Sequence, residues 1–131
     1  MRTLTKSVSG SLQILLVEDH ADTALALSRL LARRGYIIRV ADSVSEARRT
    51  ARESRIDLLI CDVGLPDGSG LELMRELKDR DGLQGICTSG HGSDEDVRRS
   101  KAAGFAAHLI KPIDLPRLES LIEEVAAAQG E

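Results

Sequence analysis

Five short aliphatic segments alternate along this chain with five longer segments that each have one apolar side. The aliphatic segments predict strands at about residues 12–17, 36–40, 56–61, 84–88 and 106–110. The amphipathic segments predict helices at about residues 21–34, 44–53, 69–79, 94–103 and 114–128. Strict alternation of strand and helix favours a parallel sheet with helices on both faces. The chain therefore predicts one doubly wound α/β domain over residues 11–128, preceded by a flexible arm or linker stub at residues 1–10.

The composition fits one globular domain that does not bind nucleic acid directly. The chain has 131 residues, of which 42% are hydrophobic and 30% are charged, and a chain of that size can bury a core of its own. Aromatic residues make up only 2%, which leaves no platform for stacking bases. A net charge of −3 gives no general attraction to a phosphate backbone.

The cysteines and the lack of a long apolar run predict a cytoplasmic protein without membrane contact. Cys61 and Cys87 lie inside predicted buried strands without CxxC spacing, which is typical of reduced thiols that serve as small hydrophobes. No apolar run approaches the about 18 residues of a membrane span. The first residues also lack the apolar core of a signal peptide.

An unbroken apolar run, Leu58-Leu59-Ile60-Cys61, ends at Asp62. Such a run indicates a strand that is buried on both faces in the middle of a parallel sheet. Open α/β sheets bind their ligands outside the carboxyl ends of the strands, where Asp62 would stand. Asp also begins turns frequently, so this segment alone favours neither a ligand site nor a simple turn.

Polar residues at the ends of three further predicted strands favour the ligand site. The first strand ends at Glu18-Asp19, the fourth at Ser89, and the fifth at Lys111-Pro112. Carboxylates about 4 Å apart repel each other by roughly 4 kcal/mol at an effective dielectric constant of about 20, so the acids of adjacent strands need a cation between them. Oxygen ligands suit Mg²⁺ or Mn²⁺.

Together with Pro66 and Gly70 after the strand that ends at Asp62, these residues resemble the receiver domain of two-component response regulators. The resemblance extends over about 110 residues, and the runs GLPDGSG, TSGHG and GFAAHLIKP are most similar to receivers of hybrid histidine kinases. It implies a flavodoxin-like (β/α)5 sheet with the strand order 2-1-3-4-5.

The resemblance implies that Asp62 is the phosphoacceptor, whose carboxylate attacks a phosphoryl donor and forms an acyl phosphate. Glu18, Asp19 and Asp62, with the backbone carbonyl of Gly64, would hold Mg²⁺ directly or through water, and the ion would neutralise the charge that develops during transfer. A surface acidic pair and a loop aspartate are the structural alternatives.

The same resemblance assigns the remaining polar residues. Lys111 would pair with the phosphoryl oxygens, and Pro112 would fix the turn that aims it, through a peptide bond that is commonly cis in receivers. Ser89 would hydrogen-bond a phosphoryl oxygen; it is preferred over Thr88 because the Ser-Gly pair matches the family and places Thr88 inside the strand. Gly70 would permit a tight turn.

Histidine occupies the position where receivers usually carry a Tyr or Phe that swings inward on phosphorylation. This residue, His108, is smaller than either and titrates near neutral pH, so a weaker or altered switch is expected; a half-buried edge histidine is the alternative. His20 and His91 flank the predicted site, but the oxygen ligands around them argue against a transition metal.

The predicted function is a regulatory signalling domain and not an enzyme, apart from its own phosphorylation and dephosphorylation. It would take a phosphoryl group from a histidine kinase or phosphotransfer domain, with kinase modules either separate or linked upstream, and shift conformation at the face formed by the fourth helix, the fifth strand and the fifth helix. The fourth helix has only Val97 and alanines to bury.

The main alternative function, a Mg²⁺-dependent phosphohydrolase, commonly needs a second acid two residues after its nucleophile, where this chain has Gly64. A third class, an interaction module that never turns over phosphate, is favoured only by the substituted switch position.

Overall fold

A five-stranded parallel sheet forms the centre of the computed structural model, which describes residues 12–129. The strands in chain order, with a short separate hairpin included, are β1 (Gln13–Val17), β2 (Ile37–Ala41), β3 (Leu58–Asp62), β4 (Gly64–Leu65), β5 (Gly68–Ser69), β6 (Gln84–Ser89) and β7 (Ala107–Ile110). The helices are α1 (Ala21–Arg33), α2 (Val44–Glu53), α3 (Gly70–Asp81), α4 (Asp94–Ala103) and α5 (Leu115–Gln129). The arm predicted at residues 1–10, and residue 11 of the predicted domain, lie outside the described residues.

The strands of the main sheet follow the order β2-β1-β3-β6-β7, and all neighbours are parallel. Because β4 and β5 form their own hairpin, this is the order 2-1-3-4-5 of the five predicted strands, and the predicted doubly wound fold is confirmed. Every predicted strand and helix is present, with ends that differ from the prediction by at most two residues. The order places β1 beside β3, so the acids at their ends become neighbours.

The side chains of the sheet alternate between two apolar layers, because successive residues of a strand point to opposite faces. One layer includes side chains of α1 and α5 and contains Ile14, Ile60, Ile86, Leu109, Leu31, Leu118 and Ile122. The other includes side chains of α2 and α3 and contains Leu15, Leu59, Cys61, Cys87, Ala47, Leu73 and Leu77. All five residues of β3 are buried, as expected for the central strand of a sheet that is covered on both faces.

The segment after Asp62, for which the sequence predicts only a loop, contains the antiparallel hairpin β4–β5 with Pro66 and Asp67 at its turn. Strands of two residues are too short to show a hydrophobic period. The Asp67 carboxylate accepts hydrogen bonds from the backbone amides of Val44 (2.7 Å) and Ser45 (3.0 Å), and these bonds lower the pKa of Asp67. The hairpin thereby caps the first turn of α2.

Helix α4 is anchored in part by a residue that the sequence does not predict, Ser100. Val97 is only partly buried, whereas Ser100 and Ala103 are buried. Val97 lies one turn nearer to the start of α4, and the segment 91–95 at that start is exposed. Two small buried side chains provide little apolar area, so the expectation that this helix is weakly attached to the sheet gains support.

Candidate functional site

The acidic residues predicted to form a site lie together at the carboxyl edge of the sheet. β1 ends at Val17 and β3 at Asp62, and because Val17 pairs with Cys61, the next residue, Glu18, is level with Asp62. One ligand atom from each of four residues, Glu18, Asp19, His20 and Asp62, lies within 4.8 Å of the other three. The fold therefore supplies three carboxylates and an imidazole at one point.

Lys111 joins the two buried acids of this cluster. It follows β7, its peptide bond to Pro112 is cis, and its backbone amide donates to the carbonyl oxygen of Ser89 (2.7 Å). Its Nζ donates to Glu18 Oε1 and to Asp62 Oδ2, at 2.9 Å in each case. The lysine thus holds together residues that are 93 and 49 positions away from it in the sequence.

The contacts around Lys111 keep both partners of the buried pair charged. Burial alone would raise the pKa of Glu18, but hydrogen bonds from Lys111 and His20 outweigh it, so the net pKa of this carboxyl is lowered. Burial alone would lower the pKa of Lys111, but hydrogen bonds to Glu18 and Asp62 reverse that effect and raise it. A carboxylate and an ammonium ion are therefore the forms present at neutral pH.

Among residues 12–129, one oxygen of Asp62 contacts Lys111 and the other accepts a hydrogen bond from a single backbone amide. Its Oδ1 accepts from the amide of Gly64 at 3.3 Å, and its side chain is 10% exposed. A Cβ atom added at Gly64 would meet no atom within 4 Å, so the space beside this position is open. The Oδ1 atom of Asp62 is therefore held beside a residue, Gly64, that has open space around it.

Glycine is required at position 70 for a different structural reason than the tight turn that the sequence predicts. It is the first residue of α3, and it is not among the described glycines with a left-handed φ. A Cβ atom at this position would lie 2.2 Å from the carbonyl oxygen of Asp62 and 3.0 Å from Cys61 Sγ. Glycine is needed because α3 begins in direct contact with the backbone of the candidate phosphoacceptor.

Ser89 ends β6, and Thr88 lies inside the strand and pairs with Asp62. The Ser89 hydroxyl accepts a hydrogen bond from the amide of His91 (2.9 Å). The structure therefore brings Ser89 next to the site through the backbone of Lys111, while its side chain is engaged with the loop before α4. Its contact with a phosphoryl group stays a prediction.

His108 links β7 to α4 and to the loop that precedes it. Its Nδ1 lies 3.1 Å from Ser100 Oγ and its Nε2 lies 3.0 Å from the carbonyl oxygen of His91. A cavity of about 180 Å³ lies beside this ring and is lined in part by Ser89, Leu71 and His108. The histidine thus stands between the candidate site and the helix that was expected to move.

The sequence did not predict the role of Ser100 or the side-chain contacts of His20. The available signal for Ser100 was its spacing, three residues after Val97 and three before Ala103, which places it on the same face of the helix. The contacts of His20 could not be foreseen, because they depend on how the chain turns from β1 into α1.

The three carboxylates of the cluster, those of Glu18, Asp19 and Asp62, are the hard oxygen ligands that Mg²⁺ and Mn²⁺ prefer, so this set of ligands fits such an ion.

Comparison with known proteins identifies the family. A family model described as the response regulator receiver domain matches residues 14–123. The chain belongs to the response regulator receiver family. Sensor kinase CckA of Brucella abortus is 33% identical over 125 residues, which are 93% of this chain but only 13% of that kinase.

Solved structures of response regulators have the same fold as this receiver domain. The CheY-like receiver domain protein from Methanospirillum hungatei JF-1 superposes with a TM-score of 0.84 at 28% identity, over 91% of this chain and 96% of that one. A response regulator protein from Burkholderia pseudomallei, solved with a phosphorylated aspartic acid, a calcium ion and citrate, gives a TM-score of 0.81 at 25% identity over 90% and 70% of the two chains. Within residues 12–129 of this receiver domain, no helix has the length and apolar character to cross a bilayer.

Proposed function

We propose that this receiver domain accepts a phosphoryl group on Asp62 and passes the signal on as a change of conformation. The observation that carries the proposal is the Asp62–Lys111 contact of 2.9 Å at the carboxyl edge of the sheet, beside two further acids. Buried ion pairs of this kind contribute little to folding stability. A cluster of titratable groups with shifted pKa values at the edge of a sheet is typical of a functional site.

The proposed reaction uses the two Asp62 oxygens differently. Oδ1, next to the amide of Gly64, forms the new bond to phosphorus, while the bond between phosphorus and the donor nitrogen of a phosphohistidine breaks and its electron pair leaves with the imidazole. Oδ2 stays on Lys111, whose ammonium group then lies beside the incoming phosphoryl oxygens. Positioning and electrostatic stabilisation are the main contributions in phosphoryl transfer.

Mg²⁺, or Mn²⁺ in its place, is the proposed cofactor. Glu18, Asp19, Asp62 and the backbone carbonyl of Gly64 would hold it, and the bound ion would supply positive charge opposite the phosphoryl oxygens. This chain has glycine at position 64, where an aspartyl phosphohydrolase commonly carries its second acid, which supports a regulatory domain that acts on itself alone.

The proposed partners are a histidine kinase or a phosphotransfer domain, and the proposed location is the cytoplasm. The match to one segment of a sensor kinase supports an arrangement in which kinase modules are covalently linked to the domain. Cys61 and Cys87 lie opposite each other on the neighbouring strands β3 and β6 and are both free thiols. Free thiols at such positions support a reducing compartment. Neither direct nucleic-acid binding nor membrane contact is part of the proposal.

The signal is proposed to leave through α4, β7 and α5. A phosphoryl group on Asp62 brings negative charge close to Ser89 and Lys111, and charge-assisted hydrogen bonds draw both inward. Ser89 then exchanges the amide of His91 for a phosphoryl oxygen, which displaces the loop whose carbonyl oxygen contacts His108. Helix α4 shifts because the same imidazole also contacts Ser100.

Incubation with acetyl phosphate or phosphoramidate and Mg²⁺ tests the proposal. Intact-mass spectrometry and Phos-tag electrophoresis are expected to show one added phosphoryl group in the wild type and none in Asp62→Ala. Asp114→Asn is a matched control, since it removes an exposed carboxylate just after Lys111 and is expected to be phosphorylated normally. A phosphorylated Asp62→Ala protein would contradict the assignment.

A further inference from the structure

His20 contacts the acidic cluster through its side chain as well as through its backbone. Its Nδ1 lies 3.1 Å from Glu18 Oε2 and 3.5 Å from Asp19 Oδ1, and its amide donates to the same Glu18 oxygen at 3.1 Å. The side chain is 72% exposed, so it reaches the cluster from the solvent side. The imidazole therefore covers the acids without being buried among them.

These distances are those of neighbouring ligands on one metal ion. Two ligand atoms that are each about 2.1 Å from an ion lie about 3.0 Å apart at right angles and about 3.4 Å apart in a tetrahedron. The Nδ1 atom of His20 has both kinds of separation, one to each acid. The fourth ligand residue, Asp62, also has a carboxylate oxygen within 4.8 Å of a ring nitrogen of His20.

The ring has no structural task in helix α1 that would explain its position. His20 is the N-cap residue of α1, yet among the described residues its side chain makes no capping hydrogen bond. Residues that serve as N-caps are usually Ser, Thr, Asp or Asn, and a hydroxyl or carboxyl side chain there would satisfy the helix amides. A histidine at this position directs its ring nitrogen to the acids instead.

We propose that His20 is a nitrogen ligand of the metal site and makes it favour a first-row transition-metal dication over Mg²⁺. The inference rests on the proposed function, since it concerns the same site. Carboxylate and water ligands suit Mg²⁺ and Mn²⁺, whereas imidazole suits later ions of the series. A metal ion can bind Nδ1 only when this nitrogen carries no proton, so the ligand is the neutral imidazole with its proton on Nε2, and any proton that the ion displaces passes to water.

Calorimetric titration of the untagged protein with Co²⁺ and with Mg²⁺ separates the contributions of the imidazole and the carboxylates. His20→Ala is expected to lose at least about tenfold in Co²⁺ affinity, the lower end of what even outer-sphere partners of a metal contribute, while its Mg²⁺ affinity changes little. His91→Ala is the matched control, because it removes another exposed histidine near the site and leaves the backbone carbonyl that contacts His108. This variant is expected to bind both ions as the wild type does.

Pulsed electron paramagnetic resonance of bound Mn²⁺ gives a direct readout. One nitrogen hyperfine coupling is expected in the wild type and in His91→Ala, and none in His20→Ala. Mn²⁺ and Mg²⁺ binding without nitrogen coupling, or equal losses of Co²⁺ and Mg²⁺ affinity in His20→Ala, would overturn the role of His20 and leave the proposed receiver function intact. A wild-type protein that binds none of these ions would overturn the metal site as a whole.

Discussion

Lys111 supplies the positive charge between the two buried acids of the site. Its ammonium group bridges Glu18 and Asp62, whose side chains are 2% and 10% exposed. In Lys111→Met, two nearly buried carboxylates would face each other without a cation, so the free energy of unfolding at pH 7 is expected to fall by about 1–3 kcal/mol. Urea unfolding measures the change.

Added Mg²⁺ provides the control for this prediction. Because the ion would supply the missing positive charge, it is expected to restore part of the stability of Lys111→Met by preferential binding to the folded state. It is expected to do so less in a Lys111→Met, Asp62→Asn double variant, which has lost one of the ligands. A Lys111→Met protein as stable as the wild type without Mg²⁺ would show that the bridge is of no consequence for folding.

The same ion pair predicts how stability depends on pH. The lowered pKa of Glu18 means that its contribution is present above the ordinary glutamate pKa of about 4.3 and is lost as the pH falls through the lower folded-state value. The raised pKa of Lys111 means that its contribution is present below about 10.4 and is lost as the pH rises through the higher folded-state value.

Urea unfolding of the metal-free protein across the pH range is therefore expected to give a plateau with a decline on each side. Asp67, Asp81 and Asp96 also have lowered pKa values, chiefly because of hydrogen bonds to their carboxylates, so they add to the decline on the acid side. Glu18→Gln is expected to make the acid decline shallower. An unchanged acid decline in this variant would contradict the assignment to Glu18.

The substituted switch position predicts a gain of response in His108→Tyr. Tyrosine lacks the ring nitrogens that contact Ser100 and His91, so the variant loses the links from β7 to α4 and to the loop before α4. The larger ring also gains more from burial in the active state. Amide chemical-shift changes on addition of beryllofluoride and Mg²⁺ are expected to be centred on residues 88–111 and to be larger than in the wild type.

His108→Phe separates the two causes in that experiment, because it has the larger ring without the phenol hydroxyl. A response equal to that of His108→Tyr would assign the effect to ring burial and to the lost links. Wild-type-like responses in both variants, or shifts confined to the pocket around Asp62, would mean that the signal leaves the site by another face.

Secondary structure elements with a hydrophobic pattern could be predicted from the sequence, whereas the two short strands β4 and β5 could not. The five sheet strands and five helices each carry a hydrophobic pattern over at least four residues, so local composition was sufficient. The hairpin β4–β5 has strands of two residues, and its link to α2 through Asp67 joins residues 22 and 23 positions apart. Contacts of this kind depend on tertiary structure.

The candidate site shows the same limit. The strand-end positions of Asp62 and Lys111 follow from the strand pattern and the resemblance to receivers. The hydrogen bonds of His108 to Ser100 and the loop do not follow, because they require the distance between β7 and α4. Nor could a sequence reveal that Gly70 is needed for the contact between α3 and the carbonyl oxygen of Asp62.

The close contact between Gly70 and the carbonyl oxygen of Asp62 predicts that alanine substitutions at Gly70 and at Gly90 have unequal effects on stability. In Gly70→Ala the new methyl group would lie 2.2 Å from the Asp62 carbonyl oxygen, and because this atom belongs to the backbone, α3 or the phosphoacceptor must move. The free energy of unfolding is expected to fall by about 1–3 kcal/mol, and phosphorylation by phosphoramidate is expected to slow. Gly90→Ala is the control, since a Cβ there would meet no atom within 4 Å; equal effects of the two substitutions would contradict this account.

At the scale of the whole molecule, the two cysteines report how cooperatively the sheet opens. Cys61 and Cys87 lie on neighbouring central strands in the layer beneath α2 and α3. Burial raises the pKa of Cys87 to about 12 and that of Cys61 well above its usual value, and only a thiolate reacts rapidly with disulfide reagents. Both thiols therefore need the sheet to open before they react.

Labelling with Ellman's reagent at pH 8 is expected to modify both cysteines together, at a rate that follows global unfolding, because central strands open with nearly the full free energy of unfolding. Low concentrations of urea should accelerate the two modifications in parallel. A cysteine introduced as Ala102→Cys, at an exposed position of α4, should react at once and serves as the control. Rapid labelling of one native cysteine alone would show that β3 or β6 becomes accessible without global unfolding, so that the sheet is not one cooperative unit.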